Sequence, residues 1–315
     1  MVLIFPLSQI VTRKRVIIID KTSDSLDFQA SIFTNTTNQD LPSSDKGKRI
    51  NTLLLGIPGQ KNNAPNLTDT LIVMSINQKT KKGFLLSIPR DLLVKLPETN
   101  SYTKINALYQ ESGLTVTQET LSKITGLAFD YNIVIDLEGV KKIIDQVGGI
   151  DVFVEKDIFD PSFPGPNNSY QPFIIKQGQR HLDGETALKY IRTRHDWNGD
   201  FARMKRQQQV LIALKEKISS LHPLWNLAVV LNVWQTIKNH FKTNLSIKNI
   251  KNFWQMAKDV DLEKIDFRVL EPTTGLLIPD HTILGGEEAY ILRPKKGLND
   301  YTEIREYIIN LVKQD

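Results

Sequence analysis

Cysteine is absent from the 315-residue sequence. Its absence excludes disulfide bonds, thiolate metal sites and a cysteine nucleophile. Four common signatures are absent as well: the P-loop, G-x-G-x-x-G, G-x-S-x-G and H-E-x-x-H. The enzyme classes that depend on those signatures are therefore poor candidates.

A long hydrophobic run is also lacking. Residues 1–11 are apolar, but they supply about half of the roughly 20 residues that a transmembrane helix needs. Three basic residues follow this run at 13–15, whereas a signal peptide carries its basic residues before the apolar stretch. Residues 22–48 are rich in Ser, Thr, Asn and Asp, a composition typical of exposed linkers. We predict an N-terminal segment and polar linker at 1–48 and one domain at 49–315.

A strong charge of one sign is missing too. Lys and Arg total 40 and Asp and Glu total 35, so the net charge is only +5. This excess suits an anionic substrate or an anionic membrane surface and does not by itself favour nucleic acid. The basic residues are dispersed and no helix-turn-helix stands out, which makes a DNA-binding regulator a weaker hypothesis.

Apolar runs at the start of the domain predict three strands, at 51–57, 71–76 and 84–88. The last two are separated by a short Lys-rich turn, which predicts an antiparallel hairpin. Residues 131–135, 137–147 and 150–154 have the patterns of a strand, an amphipathic helix and a strand, with two glycines ending the helix. This β-α-β unit predicts an α/β fold with a mixed sheet covered by helices.

The rest of the domain is predicted as a loop followed mainly by helices. Residues 157–179 contain four prolines and predict a long surface loop that borders the site. Residues 221–241 predict a helix with a wide apolar face, which fits core burial, an acyl-binding wall or contact with a membrane surface. Further predicted elements are a strand at 16–20, helices at 104–109, 117–125, 181–190 and 245–260, strands at 267–270 and 289–292, and a closing helix at 301–312.

The segment that begins at Asp200 predicts a helix whose inward face changes character along its length. Asp200 is a good N-cap or first-turn acid, and Val210, Leu211, Leu214 and Ile218 recur at helical spacing. Asp200, Arg203 and Gln207 fall on the same stripe, so the inward face begins polar and ends apolar. An inward-facing charge costs several kcal/mol unless it is partnered, so Arg203 should meet an anion.

Two further arginines, Arg192 and Arg194, precede this helix on a predicted extended segment where alternate residues share one side. Together with Arg203 they could bind phosphate oxygens, because a planar guanidinium matches two oxygens at once. The competing interpretations are a buried salt-bridge network with Asp183, Glu185 or Asp196, or a solvated basic loop. His195 is a lone loop histidine, a pattern that more often has no catalytic role.

Two aspartates are predicted to share one edge of the sheet. Asp69 starts one strand of the predicted hairpin and Asp91 follows the other, and antiparallel neighbours bring those two ends together. Two carboxylates with oxygen surroundings suit Mg²⁺, which completes its shell with water and substrate phosphate. The alternatives are a turn residue at Asp69 and a turn or helix cap at Asp91.

Taken together, these segments resemble the LytR-CpsA-Psr family, whose members attach glycopolymers to the bacterial cell wall. The resemblance covers residues 49–312. It implies a three-layer α/β/α fold with a central mixed β-sheet, an extracytoplasmic location at the cell envelope and usually an N-terminal membrane helix, of which residues 1–48 would be a remnant. Seven segments in this order carry it: 51–56 (NTLLLG), 68–70 (TDT), 87–91 (SIPRD), 104–107 (KINA), 147–152 (VGGIDV), 182–194 (LDGETALKYIRTR) and 200–207 (DFARMKRQ).

The resemblance also implies which residues form the site. It implies a polyprenyl pyrophosphate-linked glycan as the donor, with its lipid in an apolar pocket, and Mg²⁺ (or Mn²⁺) on Asp69 and Asp91. Two positions depart from the family: Pro58 and Leu67 stand where members commonly carry an acidic residue and an arginine, so one cation is absent or replaced by Lys61. The positions implied around the pyrophosphate are Arg90, Lys104, Arg192, Arg194, Arg203 and Gln207, with Asp200 as an acid or base candidate.

The resulting hypothesis is a phosphotransferase in which a peptidoglycan hydroxyl attacks the glycan-side phosphorus and polyprenyl phosphate leaves. Phosphoryl transfer depends on positioning and charge neutralisation more than on covalent chemistry, so arginines and a metal would suffice. The charge on the leaving phosphate would be stabilised by Arg90, Arg192, Arg194 and Arg203. Asp200 or Asp69 would take the hydroxyl proton. The alternatives are a polyprenyl-pyrophosphate pyrophosphatase and a non-catalytic lipid-pyrophosphate-binding module of the cell envelope.

Overall fold

The computed structural model describes residues 49–60, 62–97, 99–165, 169–195, 198–220, 235, 238–245 and 259–314. The predicted linker and strand within 1–48, the position of Lys61 and almost all of the helices predicted at 221–241 and 245–260 lie outside these residues. None of the described helices is long and apolar enough to cross a membrane.

Strands and helices alternate along the described chain, and they are numbered here in chain order. The strands are β1 Arg49–Ile57, β2 Thr70–Asn77, β3 Gly83–Ser87, β4 Leu93–Lys95, β5 Tyr102–Lys104, β6 Tyr131–Asp136, β7 Ile150–Val154, β8 Ile158–Asp160, β9 Phe173–Ile175, β10 Gly178–Leu182, β11 Phe241–Thr243, β12 Ile265–Val269, β13 Leu277–Leu284 and β14 Glu287–Pro294. The helices are α1 Leu108–Thr125, α2 Leu137–Gln146, α3 Gly184–Arg192, α4 Gly199–Ser220 and α5 Thr302–Lys313.

A mixed sheet forms the middle layer, in the order β11-β6-β1-β2-β3-β12 among the described residues. Strands β1, β2 and β3 pair antiparallel, which confirms the predicted hairpin. Strands β1 and β6 pair parallel, as do β3 and β12, while β11 is antiparallel to β6. Side chains of α1 and α5 pack on one face of this sheet, and α2 and α4 line the opposite face. The predicted α/β fold with helices on both sides of a mixed sheet is confirmed.

Successive side chains of the central strands point to opposite faces of the sheet, as the two-residue strand period requires. On β1, Leu53 and Leu55 belong to the main hydrophobic core together with side chains of α1 and α5. Thr52 and Leu54 line a cavity on the other face. The other central strands alternate in the same way: Leu71, Val73, Phe84, Leu86 and Val134 enter the core, whereas Ile72, Met74, Leu85, Ile133 and Ile135 line the cavity.

The predicted β-α-β unit is wrong in one respect, because β7 does not join the central sheet. It pairs antiparallel with β10 in a separate two-stranded sheet. Gly148 and Gly149 have φ of 78° and 85°, backbone values that favour glycine, and they redirect the chain before β7. One face of β7 is buried against α2, α3 and α4, and the other is exposed, which suits a small ribbon with one side in solvent.

Three other local predictions are corrected. The predicted loop at 157–179 contains the paired strands β8 and β9, whose short length and neighbouring prolines hid them. The helix predicted at 181–190 begins at Gly184, because Asp183 accepts a hydrogen bond from Thr186 N (2.7 Å) and caps it, while the preceding residues form β10. The helix predicted at 104–109 begins later than predicted, because Lys104 ends β5 and α1 begins at Leu108. A kink at Gly113 (φ 79°) divides α1 into two helical parts, so the two predicted helices are both present.

Candidate active site

Two aspartates and three arginines form a compact ion-pair cluster beside the central sheet. Oδ1 of Asp69 lies 2.7 Å from Arg90 Nη1, 3.7 Å from Arg194 Nη2 and 3.8 Å from Arg203 Nη1. Oδ1 of Asp200 lies 2.8 Å from Arg203 Nη2, 3.4 Å from Arg90 Nε and 3.7 Å from Arg194 Nε. Four separate segments of the chain therefore meet at one point.

Each of these side chains lies near the end of a strand or helix. Asp69 precedes β2, and its N–H donates to Gly56 O at 3.0 Å across the β1–β2 pair. Arg90 follows β3 on the neighbouring strand, at the same sheet edge as Asp69. Arg203 lies in the first turns of α4, and Arg194 follows α3. The sheet edge and the start of α4 thus set the distances in the cluster.

A buried arginine holds the segment that carries Arg194. Arg206 of α4 donates to the carbonyl oxygens of Tyr190, at 2.9 Å, and of Thr193. These carbonyls lie at the end of α3 and just beyond it, where a helix leaves acceptors without intrahelical partners. The sequence does not predict this role of Arg206, although its position three residues after Arg203 places it close to the inward face.

Burial and charge perturb the three guanidinium groups. The side chain of Arg203 is 3% exposed, and burial lowers its pKa to about 10, with further lowering by Arg194 and Arg90 opposed by Asp200 and Asp69. Burial and the charge of Arg90 lower the pKa of Arg194. Burial also acts to lower the pKa of Arg90, but Asp200, Asp69 and Asp91 outweigh it and the pKa is raised.

The cluster has unused capacity to bind an anion. The Nε atoms of Arg90 and Arg203 are buried and have no hydrogen-bond partner within the described part of the chain. Oδ1 of Asp200 is likewise buried without a hydrogen-bond partner, and it lies 3.4 Å from Arg90 Nε as an ion pair only. A buried charged donor without a hydrogen bond is costly, so the two Nε–H groups favour an incoming acceptor. With Lys104 paired to Asp91, the four cations of this region outnumber its three carboxylates.

Asp69 and Asp91 lie at one sheet edge, as predicted. Oδ1 of Asp91 lies 2.7 Å from Lys104 Nζ, and its Oδ2 lies 3.8 Å from Arg90 Nε. Both carboxylates therefore contact the same guanidinium, and each is already neutralised by a cation. The described residues contain no group of three or more acidic or histidine side chains arranged to hold a metal ion.

The remaining predicted residues border the cluster. Arg192 is the last residue of α3 and not part of an extended segment, because the helix continues through it. Its guanidinium carbon lies 5.3 Å from the centre of the Phe163 ring, and the side chain lines the cavity mouth. Gln207 is buried and lines the same cavity.

The acids proposed for the competing salt-bridge network have other roles. Asp183 caps α3, and Glu185 lies 2.9 Å from Lys141 Nζ and 3.9 Å from Lys189 Nζ on the protein surface. Asp196 lies outside the described residues. Asp69 and Asp200 are instead the carboxylates that contact the clustered arginines. The arginines therefore do form a salt-bridge network, but its acids are residues of the candidate site and not the three acids considered from the sequence.

A cavity of about 680 Å³ opens next to the cluster, between the central sheet and the helices α2 and α4. The mouth is polar, whereas most of the wall is aliphatic. From Thr70 to Ile76 the wall follows β2 over about 20 Å, at about 3.3 Å per residue. The α4 stripe lines it in the predicted order, polar at Arg203 and Gln207 and then apolar at Val210, Leu211 and Leu214. The geometry suits an anionic head with a long apolar tail.

Comparison with known proteins identifies the family. The LytR_cpsA_psr family model matches residues 16–299. TagV of Bacillus subtilis, a polyisoprenyl-teichoic acid–peptidoglycan teichoic acid transferase, is 34% identical over 245 residues, which cover 75% of this chain and 60% of TagV. TagU of Bacillus cereus, which carries the same description, is 30% identical over 225 residues, or 69% of each chain.

Solved structures agree with this assignment. The crystal structure of B. subtilis TagV superimposes with a TM-score of 0.65 at 30% identity, covering 84% of this chain and 98% of that one. The matched region spans less than two thirds of the full-length TagV sequence. The fold, the order of the seven segments and the family match agree with one another, and the chain belongs to the LytR_cpsA_psr family.

Proposed function

We propose that the protein is a phosphotransferase that moves a glycopolymer from a polyprenyl pyrophosphate carrier to a hydroxyl group of peptidoglycan. The observation that carries this proposal is the position of the arginine cluster at the mouth of a long apolar cavity. The named transferase activities of TagV and TagU support the same reaction class.

The two parts of the site match the two parts of such a donor. A cavity of about 680 Å³ lies within the usual range of roughly 300–1,000 Å³ for ligand pockets, and its aliphatic wall would hold part of a polyprenyl chain. The pyrophosphate would then reach the Nε groups of Arg90 and Arg203, which have no hydrogen-bond partner among the described residues, with Arg194 and Lys104 alongside. Arg192 and Gln207, which border the mouth, complete the polar surroundings.

In the proposed reaction, the oxygen of the acceptor hydroxyl forms a bond to the glycan-side phosphorus. The bond between that phosphorus and the bridging oxygen breaks, and its electron pair leaves with polyprenyl phosphate. Positioned guanidinium groups stabilise the charge that grows on the phosphate oxygens, and a desolvated cation does this better than a solvated one. Asp69 and Asp200 keep the three arginines together before substrate binds.

Mg²⁺ or Mn²⁺ is the proposed cofactor, held by Asp69 and Asp91. The two carboxylates provide the oxygen ligands that Mg²⁺ prefers, and a metal with only two protein ligands would complete its shell with water and phosphate oxygens. Binding would require Asp69 and Asp91 to give up part of their pairing with Arg90 and Lys104. When bound, such an ion supplies additional neutralisation of phosphate charge.

The proposal assigns the protein to the extracytoplasmic face of the cell envelope. Its donor is carried by a membrane lipid and its acceptor is peptidoglycan, so the cavity mouth must work close to a membrane surface. Nucleic acid is not an expected partner, because the exposed charge is mixed and the net charge is only +5.

The test is transfer of labelled glycan from a synthetic lipid pyrophosphate to purified peptidoglycan, with and without Mg²⁺. We expect Arg194→Ala to lower kcat by about 10²-fold or more, since it removes one charge-stabilising donor. Arg268→Ala is the matched control, because Arg268 is similarly exposed (48% against 44%) and paired to Asp266 at 2.8 Å, but it does not line the cavity. Release of glycan phosphate at the same rate without peptidoglycan would instead indicate a pyrophosphatase.

Two further outcomes would overturn the proposal. Equal transfer by the Arg194→Ala and Arg268→Ala variants would remove the cluster from catalysis. Tight binding of the lipid pyrophosphate with neither transfer nor hydrolysis would indicate a binding module of the envelope and not an enzyme.

A further inference from the structure

His195 stands at the cavity mouth and is not a lone histidine. Its Nδ1 lies 3.2 Å from Oδ1 of Asp160, and the imidazole lines the same cavity as Asp69 and Arg203. The side chain of His195 is 55% exposed, so one edge of the ring is held by the carboxylate while the rest is accessible to a substrate. The sequence hid this pair, because Asp160 lies 35 residues earlier, in the proline-containing stretch predicted to be a loop.

Asp160 is fixed in place by the protein. The residue is 4% exposed, its Oδ2 accepts a 2.6 Å hydrogen bond from Thr193 Oγ1, and its Oδ1 accepts one from Ser162 N at 3.1 Å. Among the described residues, His195 is the one basic side chain that pairs with it. Burying a carboxylate without an Arg or Lys partner lowers the stability of the folded protein. The presence of such a carboxylate beside the imidazole of His195 therefore points to a role in orienting that ring.

The contact with Asp160 determines which nitrogen of the His195 imidazole can accept a proton. When Nδ1 carries the hydrogen and donates it to Asp160, Nε2 has a lone pair and can accept a proton. The imidazolium formed after proton uptake is then stabilised by the adjacent carboxylate, as in the His–Asp part of a catalytic triad. The segment that carries His195 also carries Arg194, which contacts both Asp69 and Asp200, and the side chains of Arg194 and His195 line the same cavity.

We propose that His195 is the general base of the transfer reaction and that Asp160 is its positioning residue, an inference that rests on the proposed function. The acceptor hydroxyl gives its proton to Nε2 of His195 as its oxygen bonds to phosphorus, and the electron pair of the broken P–O bond leaves with polyprenyl phosphate. Asp200 suits this role less, because protonating it would remove the charge that holds Arg203, Arg90 and Arg194 together.

The experiment measures kcat and KM for transfer with His195→Ala, using the full chain and the labelled lipid pyrophosphate with purified peptidoglycan. We expect a loss of about 10²–10⁴-fold in kcat with KM for the donor nearly unchanged, which is the usual contribution of a positioned base. Added imidazole should restore part of the lost rate. His181→Ala is the matched control, because His181 forms a similar pair with Asp151 (2.8 Å) but does not line the cavity.

Asp160→Asn tests the positioning role with the same assay. We expect kcat to fall about tenfold or more without rescue by imidazole, because His195 is still present but no longer oriented by a charge. Circular dichroism and donor binding would establish that this buried substitution leaves the fold intact. If it does not fold, the exposed His195→Ala variant still decides the proposal through rescue.

The two proposals fail in different ways. If the wild-type protein transfers no glycan, the proposed function fails. If the wild-type protein transfers glycan and His195→Ala does so at the same rate as His181→Ala, the transfer stands and the base assignment is overturned. A rise in KM alone, with no response to imidazole, would make His195 a binding residue and would likewise overturn the assignment.

Discussion

Replacing Arg203 with methionine tests whether the most deeply buried cation of the cluster serves the substrate or the fold. The side chain is 3% exposed, contacts Asp200 at 2.8 Å and donates to the carbonyl oxygen of Asp69 at 3.1 Å. Its Nε has no hydrogen-bond partner among the described residues. Methionine is similar in length and uncharged, so the variant removes the charge with little change in packing.

The magnitude follows from the cost of burying the charge. The lowering of the pKa from the ordinary value of an arginine side chain to about 10 corresponds to about 3 kcal/mol, at about 1.4 kcal/mol for each pH unit. Because the folded pKa lies below the unfolded one, this cost is fully present at pH 7 and is relieved only as the pH rises above about 10. This cost already includes the attraction to Asp200 and Asp69, so Arg203→Met removes it and loses in addition only the hydrogen bond to the carbonyl oxygen of Asp69, which contributes about 1 kcal/mol. Asp200 remains in contact with Arg90 and Arg194.

We therefore expect the unliganded Arg203→Met variant to match or exceed the wild type in free energy of unfolding, measured with urea at pH 7. Its affinity for farnesyl diphosphate, measured by calorimetry, should fall by about 2 kcal/mol or more, or roughly 30-fold in Kd, because a charge-assisted hydrogen bond is lost. Arg206→Met is the matched control on the same helix. It should lower the free energy of unfolding by about 1–3 kcal/mol, since Arg206 satisfies the buried carbonyls of Tyr190 and Thr193.

The reasoning would be refuted by the opposite pattern. If Arg203→Met destabilised the unliganded protein as much as Arg206→Met did, while its affinity for farnesyl diphosphate stayed at the wild-type level, Arg203 would be a structural ion-pair residue. The cluster would then have no special capacity for an anion.

Three more substitutions address the metal, the cavity and the core. Asp91→Asn should weaken Mn²⁺ binding, followed by electron paramagnetic resonance, by about tenfold or more in the presence of pyrophosphate, and unchanged binding would exclude Asp91 as a ligand. Met74→Trp fills part of the cavity and should reduce the affinity for long polyprenyl diphosphates more than the affinity for inorganic pyrophosphate. Competition binding would measure both affinities, and an equal loss for both would argue against a binding site for the lipid tail. Leu86→Ala should cost about 2–5 kcal/mol in urea unfolding, with diphosphate affinity retained, because Leu86 is fully buried on the opposite face of the sheet; a loss of affinity at unchanged stability would contradict this.

The sequence was sufficient for features set by local periodicity. The hydrophobic runs around Leu53, Ile72 and Leu86 predicted strands with the right neighbours, and antiparallel pairing then placed Asp69 and Asp91 at one edge. The stripe from Arg203 to Leu214 on α4 was also predictable, because one helical period fixes which residues share a face.

Features that depend on contacts between distant segments could not be predicted in this way. The strand pattern of β7 is compatible with a central or a peripheral sheet, and only its pairing with β10 decides between them. The central place of Arg90 in the ion-pair cluster, and the contact of Asp160 with His195, depend on distances between side chains far apart in the chain. Short strands such as β8 carry too few residues to establish a period.

The alternation of side chains across the central sheet has a consequence for which substitutions this protein can tolerate. The four strands β1, β2, β3 and β6 each supply one set of residues to the cavity and an interleaved set to the hydrophobic core on the other face. Under the proposed function, changes at Leu54, Ile72 or Met74 would resize the cavity for a shorter or longer carrier, while Leu53, Val73 and Leu86 would continue to stabilise the core. The residues that would determine which carrier fits and the residues that stabilise the fold thus lie on opposite faces of one β-sheet. A substitution on one face would therefore have little effect on the other.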